Sequence, residues 1–131
     1  MANQTAARDA DRQEGVLVDV LHNDNTIYKG ALVTVDTNGY AHAAESGKAF
    51  IGVAMEDTPT DGREYIRVYT EGVAQFDGAG FTQADTGKLV TVGSDDHSVA
   101  LAEDGDNAPA ANEIVGKIIN VISATSVRVK L

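Results

Sequence analysis

From residue 14 onward, apolar side chains return at every second position in short runs broken by Gly, Asp and Asn. Val16, Val18 and Val20 alternate with Leu17 and Asp19, and Ile66 and Val68 alternate with Tyr65, Arg67 and Tyr69. A period of two turns one face of a strand inward. Leu32-Val33-Thr34-Val35, Phe50 to Met55, Leu89 to Val92, Val99 to Leu101, Ile114 to Ile122 and Val127 to Leu131 read as further strands. Asn38-Gly39 predicts a hairpin with a type I′ turn, which needs positive φ at both positions, and Tyr40 to Ala44 is its return strand. Ser94-Asp95-Asp96 turns a second hairpin, Asp61-Gly62 makes another turn, and Asp77-Gly78-Ala79-Gly80 opens a loop. No stretch sustains a helical period. The pattern predicts an all-β chain, a single small β-barrel or jelly-roll-like domain. Its inward set is Ile51, Val53, Ile66, Val68, Val90, Val115, Ile118, Val127 and Val129.

The same unit is used twice. Glu14-Gly15-Val16 and Leu32-Val33-Thr34-Val35 return 57 residues later as Glu71-Gly72-Val73 and Leu89-Val90-Thr91-Val92. Phe50-Ile51-Gly52-Val53 is answered by Ile114-Val115-Gly116-Lys117, and Tyr65-Ile66-Arg67-Val68 by Ser126-Val127-Arg128-Val129. Gly52 and Gly116 mark a bulge or a close backbone crossing. Two copies are too few for a solenoid and each is too short to bury a good core alone. The expectation is one domain over 14–131, with repeats at about 14–70 and 71–131 and approximate two-fold symmetry. Residues 1–13 are polar and aperiodic, either a frayed terminus or an arm that orders on a partner.

With 131 residues the chain can bury roughly two thirds of its unfolded surface. It has no cysteine and no tryptophan, so the core must come from Val, Ile, Leu and Ala. A formal charge of −10 repels nucleic acid and anionic lipid, which argues against either as partner. No run approaches the ~20 apolar residues of a membrane span. The N-terminus lacks the basic and apolar regions of a signal peptide, so the chain is expected to stay where it is made or to leave by lysis.

Catalytic and metal motifs do not assemble. His22, His42 and His97 show no ligand spacing and read as surface or loop residues. Gly47-Lys48 and Gly87-Lys88 lack both the first glycine and the Ser/Thr of a phosphate loop. Neither Gly-x-Ser-x-Gly nor His-Glu-x-x-His occurs. Asp104-Gly105-Asp106-Asn107 with Glu113 offers oxygen ligands without the rest of a calcium loop, so a solvated acidic loop is expected. No cofactor and no metal site is predicted. Tyr65, Arg67 and Tyr69 share one strand face, either an ordinary exposed face or a contact patch.

The order of motifs resembles a known family. Glu14-Gly15-Val16, Lys29-Gly30 with Leu32-Val33, Asn38-Gly39-Tyr40-Ala41 and Phe50-Ile51-Gly52-Val53-Ala54 come first. Arg67-Val68-Tyr69-Thr70-Glu71-Gly72-Val73, Thr86-Gly87-Lys88-Leu89-Val90, Ile114-Val115-Gly116-Lys117 and Val127-Arg128-Val129-Lys130-Leu131 follow. Together, over Glu14 to Leu131, they are similar to the capsid cement, or decoration, proteins of tailed bacteriophages. The resemblance implies a structural virion protein without enzyme activity. Such a protein is made in the host cytoplasm, sits on the outer surface of the capsid, binds the major capsid protein where subunits meet, and forms dimers or trimers. It names no contact residues. The candidates read from the chain are the arm residues Ala2, Asn3, Gln4, Thr5, Arg8 and Arg12, and the strand residues Tyr65, Arg67 and Tyr69. Two other classes stay open: a carbohydrate- or small-molecule-binding module of a tail or fibre, and a small hydrolase-like barrel. The first needs an aromatic platform, and the second a nucleophile with its base.

Overall fold

A computed structural model describes residues 17–59, 62–103 and 108–131. Among these residues, ten strands form two antiparallel five-stranded sheets. The first sheet holds β1 (Leu17–Leu21), β2 (Leu32–Val35), β3 (Ala41–Ala43), β4 (Ala49–Ala54) and β5 (Tyr65–Tyr69). The second holds β6 (Val73–Asp77), β7 (Leu89–Val92), β8 (Val99–Leu101), β9 (Ile114–Ser123) and β10 (Ser126–Lys130). Each sheet is built from one half of the chain. The ladder orders are β1-β5-β4-β2-β3 and β6-β10-β9-β7-β8, which are the same order written twice. The all-β class is as expected, and neither sheet closes on itself.

The duplication extends to an irregularity. In the first sheet Val33 faces Gly52 and Thr34 faces Phe50, so Ile51 is an extra residue. In the second, Val90 faces Gly116 and Thr91 faces Ile114, so Val115 is the extra one. Both glycines lie against a backbone carbonyl of the next strand, that of Tyr69 or of Lys130. A Cβ on Gly52 would sit 2.6 Å from the Tyr69 oxygen. Only a residue without a side chain fits where the bulged strand passes so close.

Three expectations are corrected. The hairpin after β2 has no type I′ turn, because Gly39 has φ of 83° and Asn38 is not among the positive-φ residues. The Gly39 amide donates to the Asp36 carbonyl at 3.0 Å, closing a type I turn followed by a left-handed glycine. The Val16–Val73 match slips by one. Leu17 pairs with Tyr69 as Val73 pairs with Lys130, which makes Leu17 the counterpart of Val73. Strand β6 and the 3-10 turn at Gln83–Asp85 carry weak apolar periodicity and were not expected.

Val53, Ile66, Val68, Val90, Val115, Ile118, Val127 and Val129 are buried as predicted. Ile51 is half-buried against the first core. Among the described residues, the buried apolar side chains form two clusters. One lies within the first half, around Val20, Ile27, Val33, Ile66 and Val68. The other fills the second half and continues across the junction, taking in Leu32, Ala44 and Val53 of the first. The Leu32 amide donates to the Asp96 carbonyl of the β7–β8 loop at 2.7 Å. The two halves are therefore joined by apolar packing and by at least one backbone hydrogen bond.

Candidate functional site

The outward faces of the two sheets carry the exposed chemistry. On the first, β5 aligns Tyr65 with Leu21, Arg67 with Asp19 and Tyr69 with Leu17 across β1. Tyr65, Arg67 and Tyr69 do share one face, as strand alternation requires. They differ in availability. Tyr65 is half exposed. Arg67 Nε lies 3.3 Å from Asp19 Oδ1, and its amide donates to Glu56 Oε1 at 3.3 Å. Its charge is thus already answered within the chain. Tyr69 is half-buried against the junction cluster, and desolvation raises its hydroxyl pKa. A shallow cleft of about 440 Å³ runs beside the row, lined by Asp19, Glu56, Glu64, Tyr65 and Arg67 among others. The remaining candidates, Ala2, Asn3, Gln4, Thr5, Arg8 and Arg12, lie outside the described residues, as do Asp104, Gly105, Asp106 and Asn107.

The second sheet presents a face that sequence reading missed. Val127 and Val129 point in, so Arg128 and Lys130 point out. Lys130 is flanked by Val73 and Lys117, and Lys117 by Leu89. One row therefore reads Val73–Lys130–Lys117–Leu89. Exposed Ile119 and Ile122 lie further along β9. Residues 114–131 contain Lys117, Arg128 and Lys130 and no acid, in a chain of net charge −10. That segregation of sign is visible in the sequence and was the available signal.

The histidines are placed by hydrogen bonding. His22 is buried, against expectation: its Nε2 donates to the Arg63 carbonyl at 2.8 Å, and its Nδ1 accepts the Asp24 amide at 3.1 Å. His42 Nε2 lies 2.8 Å from Asp36 Oδ2. Asp36 also accepts the Tyr40 and Asn38 amides. The Tyr40 amide, with the His42 contact next, holds its carboxyl below the usual carboxylate range. Exposed His97 sits 3.2 Å from Asp96 and 3.3 Å from Asp95. The Asp96 hydrogen bond and the Asp95 charge raise its pKa. These three residues are close enough to share a cation, yet the hydrogen bonds of the Asp95 amide and carboxylate to Ser98 and His97 brace the β7–β8 turn, and the Asp96 and His97 carbonyls accept the Leu32 and Asp77 amides. Buried Asp85 accepts the Thr82 amide and Lys88 Nζ, which lower its pKa and fix the 3-10 turn.

These placements provide two outward-facing surfaces, the first bearing Leu21, Tyr65 and an internally paired arginine, the second apolar and basic. Comparison with family models, with curated proteins and with solved structures finds no match.

Proposed function

We propose that this chain is a structural virion protein without catalytic activity that binds the outside of a tailed-phage head where capsid subunits meet. It reinforces the closed shell there. The observation that carries the reading is the gathering of exposed apolar side chains on sheet faces, with Leu21 and Tyr65 on one half and Val73, Leu89, Ile119 and Ile122 on the other. Apolar faces of this kind suit protein contact. The motif order from Glu14 to Leu131 supplies the likeness to cement proteins. A protein that binds only the assembled shell stabilises it by mass action, and several sites per assembly turn modest affinity into firm attachment.

Co-sedimentation with undecorated phage heads tests the reading. Saturable occupancy, together with heads that rupture at a higher temperature, is the expected result. Protein left in the supernatant at every concentration overturns it. Retention on a glycan array together with that failure selects the carbohydrate-binding alternative.

A further inference from the structure

The two halves answer their outward cations differently. In the first, Arg67 stands across the ladder from Asp19, its Nε 3.3 Å from the Oδ1. At the same ladder position in the second, Arg128 stands across from Gln75, whose amide donates to Ser126 Oγ at 2.8 Å. The arginine is repeated and its acid is not. In the next row Tyr69 and Val53 give way to Lys130 and Lys117, which face each other directly. Like charges directly opposite in an antiparallel pair cost stability, so folding gains nothing from them. All three cations are exposed, and among the described residues none of them forms an ion pair, although Arg67 and Lys88 do. Asp77, the acid of β6, lies at the end of the strand away from Val73, beside His97. Exposed Val73 and Leu89 flank the lysines, and exposed Ile119 lies on the same strand as Lys117.

We infer, on the reading that this chain binds a phage shell, that the face of β10, β9 and their neighbours β6 and β7 is the one that docks, and that the shell meets it with carboxylates set around apolar side chains. Arg128, Lys130 and Lys117 supply the charge for such a partner, and Val73 and Leu89 the apolar contact. The first half does not offer this, because Asp19 already answers Arg67 there. Long polyanions are poor occupants. The rest of the chain sets 20 acids against seven cations, ten less the three on this face, and so repels a nucleic acid that reaches past it. A protein patch no wider than the sheet escapes that repulsion, since exposed charges beyond about 8 Å are largely screened at physiological salt.

Co-sedimentation with undecorated heads compares three whole chains, each checked for folding by circular dichroism. Lys117→Glu/Lys130→Glu should need at least about 100-fold more protein for half occupancy, since like charges then meet across the contact. Lys29→Glu/Lys48→Glu makes the same change in net charge on exposed residues of the first half, and it should stay within about threefold of the unsubstituted chain. Raising salt from about 0.15 M to about 1 M should weaken binding of the unsubstituted chain, because the screening length falls from about 8 Å to about 3 Å. Equal losses in the two double variants, unchanged occupancy by Lys117→Glu/Lys130→Glu, or binding that ignores salt overturns the inference and leaves the shell reading standing. If the unsubstituted chain stays in the supernatant, the shell reading falls and the face is judged alone, by NMR amide shifts under poly-L-glutamate. Shifts gathered at Lys117, Arg128 and Lys130 support an acidic protein partner. No shift there, larger shifts with duplex DNA, or a mass above one chain that Lys117→Glu/Lys130→Glu abolishes, overturns it.

Discussion

The first and second halves share a strand order and a bulge, yet they hold their outer rows in opposite environments. Val53 is 1% exposed, whereas Lys117, at the same ladder position, is exposed. Backbone pattern was copied in both; side-chain chemistry at a few outward positions decides whether the row becomes core or surface. The inward rows tell the other side of the story. Val68 and Val129 are equivalent and both are fully buried, as are Ile66 and Val127. Inward positions kept their character because each sheet must bury its own face, while outward positions were free to take on different partners.

The harshest way to break the comparison is to attack what the halves have in common. Val68→Asp and Val129→Asp each place a carboxylate with no partner in a core, at a cost of about 4 kcal/mol or more. Each half's core is needed for one cooperative unit, so both variants should be unfolded or molten by circular dichroism. A soluble variant with a sharp unfolding transition would show that the strand phase is misassigned. Next in size is the exchange at the divergent position. Val53→Lys buries an ammonium at the junction and should cost about 3 kcal/mol, whereas Lys117→Val should change stability by less than about 0.5 kcal/mol. Equal urea midpoints for the two variants would dissolve the contrast between the halves.

The shared bulge gives a smaller effect. A methyl at Gly52 meets the Tyr69 carbonyl, and one at Gly116 meets the Lys130 carbonyl together with a Val129 methyl. Gly52→Ala and Gly116→Ala should each cost about 1–3 kcal/mol in denaturant titration, since backbone has to shift. The Gly116 variant should be the worse, because its added methyl meets closer neighbours. A neutral result at either site would mean that the bulge relaxes freely.

Much of this was legible in the chain. Strict alternation in Tyr65–Tyr69 gave the strand, its phase and its outward triad, and the matched runs Phe50-Ile51-Gly52 and Ile114-Val115-Gly116 gave the paired bulges. What escaped has physical reasons. In Val73–Asp77 the inward residues are Ala74 and Phe76, too few for periodicity to stand out, so β6 was missed. Asn38-Gly39 is a turn signal, but Asp36 captures the Asn38 and Tyr40 amides and selects a different turn. His22 carries no sign of its burial, because the Arg63 carbonyl that its Nε2 donates to is far along the chain and only the fold brings it near, while its other partner is the local Asp24 amide. The candidate surface was half visible: the strand triad was found, while the basic face required knowing that Lys117 and Lys130 are ladder neighbours. Periodicity reports which face a residue takes; it says nothing of whether another unit lies on that face.

The smallest effect tests the loop that makes the junction one-sided. The Asp96 carbonyl of the β7–β8 turn accepts the Leu32 amide of the first half. His97 braces that turn against Asp96 and Asp95, with Asp77 4.0 Å away, and its pKa is raised above the ordinary value of 6.5. A group whose folded pKa is raised stabilises fully below its unfolded pKa, and that contribution fades as pH climbs through the folded value. Stability should therefore decline slightly from about pH 6.5 upward, and His97→Gln should remove that slope. Asp36, Asp85 and Asp95 have the opposite sign, their pKa values being lowered, so their contribution is present above the usual carboxylate range and is lost only as pH falls through their folded values. Because His97 is exposed, solvent screens its ion pairs and the slope should be shallow. The ring-proton titration of His97 by NMR is the direct check. A midpoint at or below 6.5 would detach this histidine from the junction and leave the Leu32–Asp96 hydrogen bond to hold the loop without its help.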